Sequence, residues 1–244
     1  MKMTDPALTM TAPSLTRAVY ERLRADILTC RLAPGERLKV AELCTKLGVS
    51  LGAVREALAG LAVEGLVAAE AQRGFKVSPV SVSDLEDLSQ TRIEIESLCL
   101  RNSIAYGGLQ WEASLVAAMH RLTKTPERVP GDVLRLSDEW SAAHRDFHRA
   151  LVAGCTSDWL LRLREMLYAQ SERYRRLSVP AESKRRDLDA EHRALMEAAL
   201  DRDANRATRL ITEHLNLTTE VLKQFFDKSG GKSRENAKKE RMAI

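Results

Sequence analysis

Residues 47–75 limit most strongly what this chain can fold into. The stretch reads Leu47-Gly48-Val49-Ser50-Leu51-Gly52-Ala53-Val54-Arg55-Glu56-Ala57-Leu58-Ala59-Gly60-Leu61, then continues through Glu64-Gly65-Leu66-Val67 to Arg73-Gly74-Phe75. Gly48 is placed to close one helix by taking positive φ, and Ser50 to open the next by offering its hydroxyl to first-turn amides. Val54, Leu58 and Leu61 recur at spacings of four and three, so one face of the second helix is buried while Ser50, Gly52 and Arg55 point outward. An exposed helix start with small residues and one arginine suits a DNA major groove, where the backbone comes close and a guanidinium reads guanine. A plain helical hairpin shares this periodicity, so the residues that follow decide between the two.

Gly65 ends the helix. Leu66-Val67-Ala68-Ala69 and Phe75-Lys76-Val77 are short strand-like runs with Arg73-Gly74 at the turn between them, which makes a small hairpin with a basic tip, a wing. Upstream, Leu32-Ala33-Pro34-Gly35-Glu36-Arg37-Leu38 supplies a Pro-Gly turn. Together these segments resemble the GntR family of bacterial transcription regulators over Tyr20–Val77. That family carries a Pro-Gly-x-x-Leu turn, a Val-Ser-x-x-x-Val-Arg-Glu-Ala-Leu recognition helix, then Glu-Gly-Leu-Val and a Gly-Phe-x-Val wing. The resemblance implies a winged helix-turn-helix that grips a palindromic operator in double-stranded DNA, with Lys46, Ser50, Gly52, Arg55, Arg73 and Gly74 as the contacting residues. Leu51 and Ala53 depart from the family's usual arginine and proline, which shifts base reading toward Arg55 and the backbone around Gly52.

A chain of 244 residues is long enough for two domains. With 30% charged residues, 5% aromatics and abundant Ala, Leu, Arg and Glu, helices are favoured. The net charge of +4 is mild, so attraction to nucleic acid is local. No apolar run approaches the roughly 18 to 20 residues that span a bilayer, and no signal-peptide pattern opens the chain, so a cytoplasmic protein without membrane contact is expected. Cys30, Cys44, Cys99 and Cys155 are scattered, which argues against a zinc knuckle or a disulfide framework and for small buried residues.

The expected fold is mainly α: a flexible arm at 1–14, a winged helix-turn-helix at 15–78, a linker at 79–83, an all-helical bundle of six to seven helices at 84–228, and a disordered basic tail at 229–244. The first helix repeats Val19, Leu23 and Ile27. Beyond Ser83 the sequence predicts no strand. Helices are expected at Asp84–Tyr106, Trp111–Leu122, Asp132 or Leu134 to Val152, Asp158–Leu177, Glu182–Asp201 and Ala204–Asp227, with an irregular loop around Thr125-Pro126 and Pro130-Gly131. Helices of this number bury their apolar stripes by bundling.

The chemistry of this second part lies in its histidines. His144 and His148 are four apart and share one helix face, a spacing at which two imidazoles hold one metal. His192 and His214 fall on two later helices, and facing helices of a bundle bring such residues together. Surface or core placement is the alternative for each one taken singly.

Arg92-x-x-Ile95-Glu96, Phe147-His148-Arg149-Ala150-Leu151, Glu191-His192-Arg193-Ala194-Leu195, Ala199-Leu200-x-x-Asp203-x-x-x-Ala207 and His214-Leu215 resemble the helical ligand-binding (FCD) domain of the FadR-type branch of the family. The resemblance implies a divalent metal held by His148, His192 and His214. The fourth position falls on His144, where Asp or Asn is usual. An all-nitrogen set favours Zn, with Ni, Fe or Mn as alternatives. It also implies a small carboxylate effector received by Arg92 and the metal, since a guanidinium offers two parallel donors to a carboxylate; a salt bridge to Glu96 at i+4 is the other use of Arg92. Tyr174, with Arg173 and Arg175, is a further candidate for the effector pocket. Trp111-Glu112-Ala113, Trp140–Phe147, Val152–Cys155 and Ser171–Arg176 resemble the carbon-starvation-induced regulator of this branch in particular, which implies a dicarboxylate or related short acid.

The reading is a homodimeric, metal-containing, ligand-responsive regulator, more often a repressor in this family. Two alternatives remain at this point: a helical-bundle metalloenzyme with the histidines activating water, and a regulator that senses the metal itself.

Overall fold

The computed structural model describes residues 15–70, 74–178 and 186–242. The chain divides after Pro79 into two compact units. The expected arm at 1–14 and Arg73 lie outside the described residues.

In the first unit, α1 (Leu15–Leu28) buries Val19, Leu23 and Ile27, one residue per turn. A short strand β1 (Arg37–Leu38) precedes α2 (Val40–Leu47), which stops where Gly48 turns to φ +65 and returns its N–H to the Cys44 carbonyl. Ser50 then caps α3 (Leu51–Val63), its hydroxyl accepting from the Ala53 amide at 3.3 Å. Val54, Leu58 and Leu61 of α3 are fully buried in the core that α1 completes. Each such side chain contributes about 1.5–3 kcal/mol of burial. The wing strands β2 (Val67–Glu70) and β3 (Gly74–Val77) pair antiparallel, Val67 opposite Val77 and Glu70 opposite Gly74. β1 adds to the other edge of β3, giving the order β1-β3-β2.

The second unit starts at Val80. Ser81 caps α4 (Val82–Tyr106), accepting from the Asp84 amide at 3.1 Å. Next come α5 (Leu109–Lys124), α6 (Asp138–Leu151), α7 (Asp158–Ser178), α8 (Leu188–Leu200) and α9 (Ala204–Met242). Their common core runs from Leu100 and Leu115 through Trp140 and Phe147 to Leu195 and Ile211. The end of α6 closes on α4 at Gly154, whose N–H donates to Ser103 Oγ at 2.8 Å; a β-carbon there would sit 2.8 Å from the Ser103 carbonyl oxygen, so only glycine fits without a shift.

Two elements differ from expectation. The segment expected to be loop and helix start forms a hairpin, β4 (Arg128–Val129) with β5 (Asp132–Leu136), bulged between Arg128 and Val129. Gly131 supplies the positive φ of its turn, and helix α6 waits for the cap Ser137, whose hydroxyl accepts from the Trp140 amide. A strand this short needs only a turn and a partner, so its apolar alternation is easily taken for a helix start. The helix α9 continues to Met242, past Ser229 where an unstructured end is expected; the Lys, Glu, Arg and Ala of that stretch are good helix formers. All four cysteines are free thiols, Cys99 and Cys155 buried. No described helix is long and apolar enough to cross a membrane.

Candidate functional sites: a DNA-facing helix and a buried histidine cluster

On the first unit, the end of α2 and the start of α3 present Lys46, Ser50, Gly52 and Arg55 to solvent while Ala53, Val54 and Ala57 face the core. Helical periodicity separates these faces. Gly74 is exposed at the wing tip with φ +86. Leu51, which stands where the family has arginine, is 48% exposed beside them, an apolar side chain on an otherwise polar surface.

In the second unit, α6 points His144 and His148 inward one turn apart, and α8 and α9 bring His192 and His214 to meet them. All four are buried, and one ligand nitrogen from each lies within 4.8 Å of the others. His144 Nε2 and His148 Nε2 are 3.2 Å apart. A tetrahedral zinc with bonds of about 2.0–2.1 Å spaces its nitrogens by roughly 3.4 Å, so this pair already stands at ligand spacing. The fifth histidine, His120, is exposed on α5 and takes no part.

The electrostatics fit a cation held by neutral imidazoles. Burial first, then neighbouring histidines and arginines, lowers the pKa of His144, His148 and His192; burial lowers that of His214 as well, partly opposed by its hydrogen bond to Glu191. Lone pairs are therefore available near neutrality. Nδ1 of His148 and both ring nitrogens of His192 are buried with no hydrogen-bond partner among the described residues. Unsatisfied buried nitrogens are costly unless something fills the coordination space, and a borderline divalent ion does so with this donor set.

Around the cluster lies a layer of partners. His144 Nδ1 is 3.1 Å from the Tyr168 hydroxyl, and His214 Nδ1 is 2.8 Å from Glu191 Oε2. The guanidiniums of Arg92 and Arg164 both lie over the Tyr168 ring, 4.8 and 4.7 Å from its centre. Both arginines converge on buried Glu96. Arg164 Nε donates to both carboxylate oxygens at 3.1 Å, and Arg92 Nε and Nη2 donate to Oε1 at 3.3 and 3.2 Å. The i+4 pair offered as the other use of Arg92 is thus formed. Its remaining Nη1 donates to the Ser171 hydroxyl at 2.9 Å. Burial acts to raise the Glu191 carboxyl, but hydrogen bonds from His214 and Arg186 outweigh it and hold the group at about 2.

A cavity opens beside the cluster, walled by Arg92, Arg175 and Arg186, by Trp140 and Tyr168, and by the imidazoles of His144 and His214. Tyr174 is not on its wall. Its ring packs with Leu85 and Leu222, and its hydroxyl donates to the Asp84 carboxylate, accepts from the Ser81 amide at 3.3 Å and lies 3.3 Å from the Ser81 carbonyl, tying α7 to the first turn of α4. The cavity wall at this end of α7 is Arg175, one residue on and about 100° around the helix, whose guanidinium lies 5.2 Å from the Trp140 ring centre. The reading of the sequence missed Tyr168, Arg164, Arg186 and Glu191. Leu161, Arg164 and Tyr168 share one face of α7 by their spacing, a signal that an arginine sits on the apolar side; nothing local marked Arg186.

Comparison with known proteins agrees with this architecture. Residues 15–77 match the model of bacterial regulatory proteins of the gntR family, and residues 87–217 match the FCD domain. The chain is 45% identical over 212 residues to an uncharacterised HTH-type transcriptional regulator, BphR of Paraburkholderia xenovorans, covering 87% of this chain and 86% of that one. It is 34% identical to the HTH-type transcriptional repressor GlaR of Escherichia coli, covering 84% of this chain and 94% of that one. Among solved structures, E. coli McbR/YncC shares the fold with a TM-score of 0.74 at 22% identity, covering 88% of this chain and all of that one. The regulator names of these relatives speak against an enzyme. With two domain matches in order and relatives aligned along most of its length, the chain belongs to the GntR family of DNA-binding transcriptional regulators, with an FCD domain following its winged helix.

Proposed function

We propose that this regulator is a homodimeric repressor whose helical unit holds a divalent metal, zinc by preference, and a small carboxylate effector that changes affinity for a palindromic operator. The observation that carries the sensing half is four buried imidazoles with ligand atoms within 4.8 Å, opening on a cavity walled by arginines. His144, His148, His192 and His214 would hold the ion, which when bound supplies an electropositive position for a carboxylate oxygen. Three guanidiniums, Arg92, Arg175 and Arg186, line the cavity with two carboxylates, Glu127 and Glu172. A divalent ion adds further positive charge, so the cavity calls for an anion, and a dicarboxylate suits it better than a neutral molecule.

Arg92 is the residue best placed to receive that anion. Among the described residues its Nη1 donates only to the neutral Ser171 hydroxyl, and exchanging this for a carboxylate makes a charge-assisted bond while Glu96 keeps the rest of the guanidinium oriented. Displacement of α7 has a route outward, because Tyr174 ties it to Ser81 and Asp84 just after the Pro79 boundary. Such coupling works only if the effector distinguishes two states of the helical unit.

DNA contact would use Lys46, Ser50, Gly52 and Arg55, with Arg73 and Gly74 of the wing. Two relatives are named repressors, which supports that sign of regulation. An exposed apolar stripe on α7, Trp159 at 72%, Leu163 at 41% and Met166 at 43%, repeats at i, i+4 and i+7 and suits pairing with a second copy.

Mobility shift with the DNA upstream of the chain's own gene, with and without candidate acids and chelator, tests the whole reading. Specific retardation relieved by an acid in the metal-loaded protein is the expected result. No retardation under any condition overturns it, and a change on chelation alone points to a sensor of the metal itself. A thermal-shift screen of small carboxylates, with His148→Ala and Arg92→Ala as controls, identifies the effector, and light scattering of the free protein reports the dimer.

A further inference from the structure

Of the four clustered imidazoles, one is held by an ionised group. His214 Nδ1 lies 2.8 Å from Glu191 Oε2 and 3.3 Å from Arg186 Nη2. Two neighbours of opposite hydrogen-bonding character compete for that nitrogen. A carboxylate only accepts and a guanidinium only donates, so the proton state of Nδ1 decides which contact is a bond. An unprotonated Nδ1 would set its lone pair against the carboxylate at the shorter distance. Carried on Nδ1, the proton makes that short contact a charge-assisted bond and leaves the lone pair of His214 on Nε2.

We propose that Glu191 is the positioning residue of the cluster, fixing His214 through Nδ1 so that Nε2 is the atom presented to the metal, with Arg186 as the clamp on its carboxylate. The proposal rests on the reading that the cluster holds a divalent ion. Arg186 grips Glu191 with both ends of its fork, Nε to Oε1 and Nη2 to Oε2, each at 2.6 Å. The same Nη2 donates to the His214 carbonyl at 2.7 Å, and Nη1 donates to Thr218 Oγ1 at 2.8 Å. The guanidinium therefore joins the first turn of α8 to one turn of α9 and leaves the carboxylate little freedom to rotate. The other three histidines have no such anchor: His144 meets a phenol able to donate or accept, and Nδ1 of His148 and of His192 has no hydrogen-bond partner among the described residues. Adjacent residues of α8 thus take different parts. His192 faces the cluster as a ligand, while Glu191 reaches across to orient the ligand from α9. An outer carboxylate on a ligating histidine sets its tautomer and ring orientation and strengthens it as a donor.

The test measures zinc affinity of the full chain by competition with a chromophoric chelator, for the wild type, Glu191→Ala, Glu191→Gln and Arg186→Gln. Melting of each metal-free form and the visible absorption of each cobalt(II) form are recorded alongside. The expected result is a loss of about ten- to hundredfold in affinity for Glu191→Ala. Glu191→Gln, which keeps an acceptor for Nδ1, and Arg186→Gln lose less. The cobalt spectrum of Glu191→Ala shifts as His214 loosens, and the metal-free melts stay near wild type. Glu191→Ala binding zinc within about twofold of wild type overturns the positioning role, as does a loss of affinity in all three variants that only follows a loss of metal-free folding. A wild type that takes up no zinc at all overturns the metal reading instead, so the two failures are distinguishable.

Discussion

In the winged-helix unit, the candidate DNA contacts Lys46, Ser50, Gly52 and Arg55 lie exposed on and beside helices whose opposite faces make the core. In the helical unit, His144, His148, His192 and His214 are themselves core, with Phe147 against His148 and His192, Tyr168 against His144 and Glu191 against His214. A surface contact is free to change without disturbing the fold. A buried polar site cannot, because every donor and charge in it must be matched inside the protein. The exposed residues Lys46, Gly52 and Arg55 are thus separable from stability, Ser50 is tied to it by its cap, and the clustered histidines are bound up with it.

The largest effect that sharpens this contrast is expected at Glu96. Glu96→Ala removes the buried carboxylate that Arg164 and Arg92 share, leaving Arg164 only its contact with the exposed Glu165, and should cost about 3–5 kcal/mol in chemical denaturation. A loss below about 1 kcal/mol would show that the sealed layer around the histidines carries little of the fold. Metal removal comes next. At free zinc a hundred- to a thousandfold above its dissociation constant, loading should add about 2.7–4.1 kcal/mol of stability to the helical unit, which chelator takes away in calorimetry. A melt indifferent to zinc and chelator would break the contrast from the sensing side.

Arg55→Ala should weaken specific operator binding by about 1–3 kcal/mol in a mobility shift with no change in melting. Binding within error of wild type would mean that bases are read elsewhere on the unit. Ser50→Ala removes the cap hydroxyl from the Ala53 amide and should lower stability by about 1 kcal/mol. Tyr174→Phe should lower stability by a similar amount, about 0.5–1.5 kcal/mol, by loss of the hydroxyl's bonds to Asp84 and Ser81. Calorimetric effector affinity should stay near wild type there while the effector's influence on operator binding falls; full retention of that influence would remove α7 as the route outward.

How much could be read from the residues follows the same division. The winged helix was legible because its signals are local: Gly48 and Ser50 punctuate the chain, and Val54, Leu58 and Leu61 set a period. The helices around the histidines were legible for the same reason, and the i, i+4 pair of His144 and His148 gave half of the cluster outright. The β4–β5 hairpin was not, since Asp132–Leu136 has too few residues for its alternation to be told from the start of a helix. Tyr174 was misplaced and Arg175 undervalued because both sit in one charged run of α7, and only the rotation of that helix within the bundle decides which faces the cavity. Arg92 had two uses open to it. The structure shows the pair with Glu96 formed while one nitrogen, bound to Ser171, still reaches the cavity wall.

The residues alone determined the order of elements, the exposed face of α3 and the pairing of His144 with His148 on one helix face, since each depends on spacing within a few turns of chain. Tertiary structure alone decided which groups surround those imidazoles: Glu191 against His214 across two helices, Tyr168 against His144, and Arg164 with Arg92 on one buried carboxylate. The physical reason is range. Periodicity and capping act between near neighbours in sequence, whereas the tautomer of a buried histidine and the partner of a buried arginine are set by whichever helix the packing of the core brings alongside.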